Sequence, residues 1–293
     1  MTEPVSGLLV VDKPTGLSSH GVVGRVRRLS GTRKVGHAGT LDPMATGVLV
    51  LGLNRGTRLL HYLVGADKEY RATVRLGVTT TTDDADGEVL GSTDAAGLGD
   101  RDVVTAAEAF VGEIEQVPSA VSAVKVAGKR AYARVRAGEQ VHLEPRRVTV
   151  SSFEVVDVSA VGPCLDVDVR VACSSGTYVR ALARDLGSAL GVGGHLTGLR
   201  RTRVGPFTLA EARPLDALPD PVDAALLNLG AAAQRFLPSR ILTQHEADHV
   251  RHGVSPSRSS VDGPVALLDP SGCLVAVAAD SGPRAVLRAV FVG

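Results

Sequence analysis

The amino-acid sequence predicts an α+β protein, in which strands of alternating polarity are interspersed with amphipathic helices. Residues 67–77 alternate polar and apolar side chains, the pattern of a strand with one buried face. Residues 148–173 alternate in the same way on both sides of Gly162-Pro163, which predicts a long antiparallel hairpin. From about residue 264 onwards, short apolar segments predict a small all-β part.

The other elements follow from the same periodicities and from their start and stop signals. A strand at 7–11 leads through the turn Asp12-Lys13-Pro14-Thr15-Gly16 into a helix, for which Ser18-Ser19-His20 provide the N-cap. The apolar run Val48 to Leu53 predicts a second buried element. The remaining predictions are helices at 56–63, 102–114 and, interrupted by prolines, 208–235; a strand–turn–helix segment at 173–187; and, after a leading helix, strands at 264–268, 273–279 and 285–292.

The composition is that of a globular protein, with 293 residues, 44% of them hydrophobic, which leaves room for one large domain and a small one. No apolar run approaches the roughly 20 residues of a membrane-spanning helix, and the first residues lack the basic start of a signal peptide. The three cysteines have no C-x-x-C spacing, so neither a disulfide framework nor a zinc site is predicted. We therefore expect a cytoplasmic protein without a bound metal.

The stretch most suggestive of chemistry is residues 36–47, Gly-His-Ala-Gly-Thr-Leu-Asp-Pro-Met-Ala-Thr-Gly. It places one carboxylate, Asp42, before a proline in a glycine-bearing loop beside a buried element. An Asp-Pro turn without any catalytic function is the common alternative. His37 in the same loop, with Arg33 and Lys34 before it, favours a functional site, because a turn aspartate needs no such neighbours.

This loop resembles the catalytic signature of the pseudouridine synthases, in the form G-H-x-G-T-L-D-P-x-A-x-G of the bacterial TruB family, which modifies the T-loop of tRNA. Four other motifs are similar to those of the same family. They are D-K-P-T-G-L-S-S from Asp12, K-E-Y-R-A from Lys68, D-A-D-G from Asp84 and G-T-Y-V-R from Gly176. The resemblance extends over nearly the whole chain.

The resemblance implies a role for each residue at a matching position. Asp42 is implied to be the nucleophile and Tyr70 to stack against the target base. Arg180 is implied to contact both Asp42 and Asp84. The other implied site residues are His37, which aids base extrusion; Lys13, which supports the loop; Leu199, which packs on the active-site tyrosines; and Tyr178, which contacts the substrate.

Some of these assignments have a purely structural alternative. Tyr70 also suits the core face of a strand. A structural Arg180 is disfavoured, because a cation at a helix N-terminus opposes the helix dipole unless an acid compensates. The acidic turn 79–88 does not fit a calcium-binding loop, because Gly87 falls at the fourth rather than the sixth position.

The net charge of the chain is only +1, but residues 125–147 carry seven basic and two acidic side chains. This basic segment, with Lys129 and Arg130, resembles the family's tRNA-gripping segment, which corresponds to about 118–147. A solvated helical face is the alternative. The segment departs from the family pattern at three positions: Ser119, Val121 and Val135.

The resemblance implies a pseudouridine synthase fold over 1–235, with a mixed, mainly antiparallel central sheet and flanking helices, and a shortened PUA-like RNA-binding domain over 236–293. It implies isomerisation of the uridine at position 55 of tRNA to pseudouridine, without a cofactor, a membrane or an obligate protein partner. One alternative is a T-arm RNA-binding and folding module with tRNA chaperone activity, which would not need Asp42. Another is a base-removing glycosidase, which would need a second acid such as Asp84, and that acid must not be held ionised by Arg180.

Overall fold

The computed structural model describes residues 5–119, 125–126, 129–130, 143–282 and 284–291. Within these ranges the helices are α1 Ser19–Ser30, α2 Gly56–Leu63, α3 Asp100–Glu108, α4 Val179–Ala189, α5 Leu229–Ala233 and α6 Gln244–Arg251, with 3-10 helices at Leu215–Ala217 and Val222–Ala225. The strands are β1 Gly7–Lys13, β2 Val35–His37, β3 Thr46–Leu53, β4 Lys68–Leu76, β5 Val78–Thr80, β6 Val89–Ser92, β7 Gly112–Gln116, β8 Lys125–Val126, β9 Lys129–Arg130, β10 Arg146–Val161, β11 Cys164–Cys173, β12 Gly194–Val204, β13 Phe207–Thr208, β14 Arg213–Pro214, β15 Ser239–Ile241, β16 Pro264–Leu268, β17 Leu274–Ser281 and β18 Arg284–Val290. Of the helices described, none combines the length and the apolar character that crossing a bilayer requires.

The chain divides into two compact units. Unit 1 comprises Met1–Pro43, Gly47–Val64 and Val204–Gly293, and unit 2 comprises Met44–Thr46 and Gly65–Arg203. In unit 1, β1 pairs antiparallel with β3 along its whole length, β2 pairs antiparallel with β3, and β14 pairs parallel with β1. These pairings place the two ends of loop 36–47 on neighbouring strands of one sheet, β2 and β3.

The first core of unit 1 lies between these strands and α1. Alternate residues of β1 and β3 meet the apolar face of α1, and Leu9, Val22 and Leu51 are each completely buried. The predicted N-cap is confirmed, because the Ser18 hydroxyl accepts a hydrogen bond from the Gly21 N–H at 3.0 Å. The sequence therefore predicted this strand–turn–helix correctly.

In unit 2, five strands lie side by side in the order β12-β4-β11-β10-β7. The pairs β4–β11, β11–β10 and β10–β7 are antiparallel. Helices α3 and α4 pack on the sheet through residues such as Val103 and Leu186. The predicted strand at 67–77, the hairpin at 148–173 and a mainly antiparallel sheet with flanking helices are confirmed.

The C-terminal part of unit 1 has a sheet and a core of its own. Its four strands follow the order β15-β16-β17-β18, in which only the pair β15–β16 is parallel. Helix α6 covers the sheet with Ala247 and Val250. The predicted small β-rich end with a leading helix is confirmed, whereas the domain boundary between residues 235 and 236 stays a prediction.

Two predicted helices were wrong in extent. The helix expected at 102–114 ends at Glu108, and Gly112–Gln116 form β7 because they pair with β10. The segment 208–235 has only the short α5 and two 3-10 turns as helices. The prolines at 214, 219 and 221 interrupt the backbone hydrogen bonding that a longer helix requires.

Candidate active site

The loop that carries Asp42 leaves β2 at His37 and re-enters the sheet at Thr46. Gly39 and Gly47 adopt φ values of +92° and +103°, which side chains with a Cβ rarely tolerate. The N–H of Ala38 donates to the carbonyl of Val50 at 2.9 Å. The glycines therefore let the chain turn sharply while the sheet fixes both ends of the loop.

The backbone is fastened immediately on each side of Asp42. The buried Ser19 hydroxyl donates to the Leu41 carbonyl at 3.0 Å and accepts from the Leu41 N–H at 2.8 Å. On the other side, the Pro43 carbonyl accepts from the Gly16 N–H at 2.9 Å and from the Lys13 ammonium at 3.2 Å. Asp42 itself is half-buried. We call these contacts of Ser19, Gly16 and Lys13 the Asp42 clamp.

Lys13 is completely buried, which is unusual for a lysine. Its ammonium also donates to the carbonyls of Pro14 at 2.9 Å and Leu17 at 2.6 Å. Three carbonyl oxygens thus replace the water that a buried ammonium loses. Lys13 is therefore not a solvated turn lysine, and its ammonium lies within the turn that supports the loop.

His37 stands at the start of the loop, next to a second histidine. Its ring and that of His20 meet edge to face, with centroids 5.5 Å apart. The contact joins the first turn of α1 to the end of β2. Sequence inspection had singled out His37 alone, because His20 carries no motif of its own.

In unit 2, Tyr70 and Leu199 pack against one hydrophobic core. Tyr70 lies on the inward face of β4, 8% exposed and opposite Val171 of β11. Leu199 of β12 and Met44, from the signature loop, pack against the same core and are partly buried. The phenol ring is therefore held by the sheet rather than by a loop.

Arg180 and Asp84 form a buried ion pair in the same unit. The guanidinium of Arg180, on the first turn of α4, lies 3.1 Å from the Asp84 carboxylate, and the two side chains are 5% and 6% exposed. It also donates to the Thr82 carbonyl at 2.9 Å. The same carboxylate accepts from the Asp86 N–H at 3.1 Å and from the Thr82 hydroxyl. Asp84, on the acidic turn, thus supplies the negative charge that compensates for a cation at the N-terminus of α4.

Three further polar residues around this pair, Arg184, Asp83 and Gln116, carry no role in the sequence motifs. Arg184, one turn further along α4, pairs with Asp83 at 3.2 Å and donates to the Val117 carbonyl at 2.8 Å. The Gln116 side chain, only 1% exposed, bonds the backbone of Tyr178. A glutamine on the inward face of a strand is a recognisable signal, but no strand is predicted here, because the predicted helix 102–114 includes the first three residues of β7.

Lys68, at the start of β4, is a second buried lysine. Burial, reinforced by the positive charge of Arg201, lowers the pKa of Lys68 to about 8. Its ammonium donates to the Ala66 carbonyl at 2.6 Å. Opposite Lys68 in the sheet, burial raises the pKa of the Cys173 thiol to about 11. The ammonium of Lys68 and the thiol of Cys173, at the start of the strand that carries Tyr70, therefore have pKa values in the alkaline range.

Most of the basic segment lies outside the described residues, including Arg134 and Arg136. Lys129 and Arg130 are described only as backbone, in the strand β9 that pairs with β8. Among the residues that the structure describes, no group of three or more histidine, cysteine or acidic side chains is placed to hold a metal ion.

The signature loop, hydrogen-bonded on both sides of Asp42, and the mainly antiparallel sheet with flanking helices agree with the class that the sequence resembles, the pseudouridine synthases. Three family models match the chain in succession: TruB family pseudouridylate synthase (N terminal domain) over residues 27–179, tRNA pseudouridylate synthase B C-terminal domain over 180–227, and tRNA Pseudouridine synthase II, C terminal, over 237–292. The chain belongs to the TruB family. It is an isomerase, as the resemblance predicted.

Named relatives and solved structures agree with this membership. The chain is 55% identical to the tRNA pseudouridine synthase B of Arthrobacter sp. (strain FB24), covering 98% of this chain and 97% of the relative. It is 56% identical to that of Rhodococcus jostii (strain RHA1), covering 96% and 92%. A crystal structure of a Cbf5-Nop10-Gar1 complex contains a chain with a TM-score of 0.75 and 27% identity, covering 98% of this chain and 85% of the other. The predicted fold and class of reaction are confirmed.

Proposed function

We propose that this protein converts the uridine at position 55 in the T-loop of tRNA to pseudouridine, in the cytoplasm, with Asp42 as the nucleophile. The observation that carries the proposal is the Asp42 clamp, which fixes the backbone on both sides of that carboxylate. The relatives that are 55% and 56% identical are tRNA pseudouridine synthases B, which supports tRNA as the substrate.

The reaction exchanges one glycosidic bond for another. The N1–C1′ bond breaks, the base rotates, and a C5–C1′ bond forms, while C5 loses a proton and N1 gains one. Nothing is oxidised, reduced or hydrolysed. A carboxylate that attacks the nucleoside and later leaves divides the exchange into two easier steps through a covalent intermediate. In our proposal Asp42 performs this attack, and the clamp holds it in a reactive orientation so that little entropy is lost in the transition state.

We propose that residues of unit 2 bind the target base and supply a positive charge to the reacting carboxylate. Tyr70 offers an aromatic face for stacking, and Leu199 completes an apolar pocket, because unpaired bases are bound by stacking on such side chains. Arg180 supplies a cation to the reacting carboxylate and is itself oriented by Asp84. Tyr178 contacts the substrate from the N-cap of α4. In this arrangement the Asp84 carboxylate is engaged by Arg180, the Thr82 hydroxyl and the Asp86 N–H, which disfavours its use as the second acid of a glycosidase.

The target uridine must leave its stack before it can react. We propose that His37 occupies the space from which the base is extruded, and that the basic segment with Lys129 and Arg130 binds the phosphates of the T-arm. Extrusion costs a few kcal/mol, which contacts of this kind supply. The C-terminal residues 236–293 are proposed as a shortened PUA-like RNA-binding domain that adds to the grip on tRNA.

The test is nucleoside analysis of an unmodified tRNA transcript after treatment with the protein. The proposal predicts pseudouridine at position 55 and no free base. Free uracil would identify a glycosidase. Unchanged uridine, together with accelerated refolding of the T-arm, would identify an RNA-folding module. A transcript with cytidine at position 55 is the matched substrate control, and it should yield no pseudouridine.

A further inference from the structure

The strand β7 ends in a glutamine that bonds the helix carrying Arg180. Gln116 lies on the inward face of β7, opposite Arg146 of β10, and is 1% exposed. Its amide nitrogen donates to the Tyr178 carbonyl at 3.1 Å, and its amide oxygen accepts from the Tyr178 N–H at 2.8 Å. One side chain therefore fixes the peptide groups on both sides of a residue 62 positions away.

Tyr178 is the N-cap of α4, and its side chain makes no capping hydrogen bond to the helix. Its carbonyl also accepts the first helical hydrogen bond, from the Leu182 N–H at 3.1 Å. The N-cap backbone sets the direction in which the first turn leaves, and Arg180 lies on that turn. A rotation of the Tyr178 peptide would consequently move the Arg180 guanidinium relative to Asp84.

The next residue of the chain fastens the same helix one turn later. The Val117 carbonyl accepts from Arg184 at 2.8 Å, and Arg184 also pairs with Asp83 at 3.2 Å. Positions 180 and 184 lie on one face of α4. The end of β7 thus bonds α4 on both sides of Arg180, at Tyr178 and at Arg184. On the acidic turn, Asp84 pairs with Arg180 and Asp83 pairs with Arg184.

We infer that Gln116 is a positioning residue for the isomerisation, which acts by fixing the N-cap of α4 and through it the Arg180 guanidinium. This inference rests on the catalytic role proposed for Arg180. An amide is suited to the task because it donates and accepts at once, whereas a carboxylate or a methyl group satisfies at most one of the two Tyr178 groups. Because Gln116 is 1% exposed, we expect it to make no direct contact with RNA.

The test is a double-mutant cycle between Gln116→Met and Arg180→Lys. Single-turnover pseudouridine formation gives the rate, filter binding gives the tRNA Kd, and thermal unfolding gives Tm. Gln116→Met keeps the length of the side chain and removes both bonds. We expect the rate to fall between about 10-fold and about 100-fold with Kd unchanged, since small misplacements of a catalytic group have effects of this size. In the Arg180→Lys background the same change should have little further effect.

Gln234→Met is the matched control, because the Gln234 amide also donates to a helix backbone, that of Gly230 in α5 at 3.4 Å. It should leave the rate unchanged. Arg184→Gln, at a side chain 27% exposed, removes the bond to Val117 without emptying the core and should lower the rate in the same way. If Gln116→Met does not fold, Gln116→Glu takes its place, because it keeps the acceptor for the Tyr178 N–H and loses the donor, and it should lower the rate with Kd unchanged.

The possible outcomes separate this inference from the proposed function. If Arg180→Lys retains the full rate, the position of the guanidinium does not limit the reaction, and the inference about Gln116 fails while the proposed function stands. If Arg180→Lys is slow but folded Gln116→Met is within about two-fold of wild type, only the inference about Gln116 fails. Additive losses of rate, or a loss confined to Kd, would also contradict it.

Discussion

Ser19→Ala tests whether the Asp42 clamp serves catalysis. The change removes the hydroxyl that both donates to and accepts from the Leu41 backbone, at a position that is 1% exposed. A buried polar group left without its partner costs about 1 kcal/mol or more, so the two groups of Leu41 should lower the free energy of unfolding by about 2 kcal/mol. For a chain of this size that corresponds to a loss of about 4–8 °C in Tm.

The kinetic effect should be separable from the loss of stability. Once Leu41 is released, the adjacent Asp42 samples orientations that do not react, and we expect kcat to fall between about 10-fold and about 100-fold. The Kd for tRNA should not change, because Ser19 is buried and its hydroxyl bonds the backbone of Leu41. The assay is single-turnover pseudouridine formation at a temperature well below the Tm of the variant, with binding measured in parallel.

Ser18→Ala is the control, one residue away on the same helix. It removes the N-cap of α1, whose hydroxyl accepts from the Gly21 N–H at 3.0 Å, and should lower stability by about 1 kcal/mol. Because Ser18 does not contact Leu41 or Pro43, kcat should stay at the wild-type value. Equal kcat values for both variants and the wild type would refute the clamp, and equal losses in both would show that destabilisation alone is responsible.

Three further predictions follow from other parts of the chain. Gly187→Ala should destabilise the protein by about 1–3 kcal/mol, because a methyl group there would lie 2.2 Å from a backbone carbon of the loop before β12. Gly24→Ala is the matched control in an open helix position and should stabilise the protein by about 0.5–1 kcal/mol. Urea titrations of the two variants measure both changes in the free energy of unfolding. The pKa of Lys68 is lowered to about 8 from its ordinary value of 10.5, so the unfolded state binds more protons between these values and this group's contribution to stability rises with pH there. The free energy of unfolding of wild type relative to Lys68→Met should therefore increase from pH 8 to pH 10, and a constant difference would contradict the shift. Arg130→Ala with Arg134→Ala should weaken tRNA binding and reduce the slope of log K against log salt by about 0.7–0.9 per phosphate contact; an unchanged slope would exclude such contacts.

Elements governed by local signals could be predicted from the sequence. The cap at Ser18, the helix at 56–63 and the hairpin around Gly162-Pro163 depend on neighbouring residues, and the structure confirms them. The helix at 102–114 was extended too far because Phe110 and Val111 continue its apolar spacing. Pairing of β7 with β10, about 34 residues further along the chain, overrode that local preference.

The site could be predicted only as a set of motif positions. Asp42, Tyr70 and Arg180 stand in recognisable motifs, and no structure was needed to single them out. The partners that hold such residues could not be found in this way, because Ser19 reaches Leu41 across 22 positions and Gln116 reaches Tyr178 across 62. Contacts of this kind arise from tertiary packing, on which local periodicity has no bearing.

The most direct test of the central claim is the activity of Asp42→Asn, an isosteric change that removes the charge and the nucleophilicity of the carboxylate. Under single-turnover conditions, with nucleoside analysis of the tRNA, we predict no pseudouridine at position 55. Filter binding should show a Kd for tRNA close to that of the wild type. Pseudouridine formation at the wild-type rate by this variant would show that Asp42 is not the nucleophile.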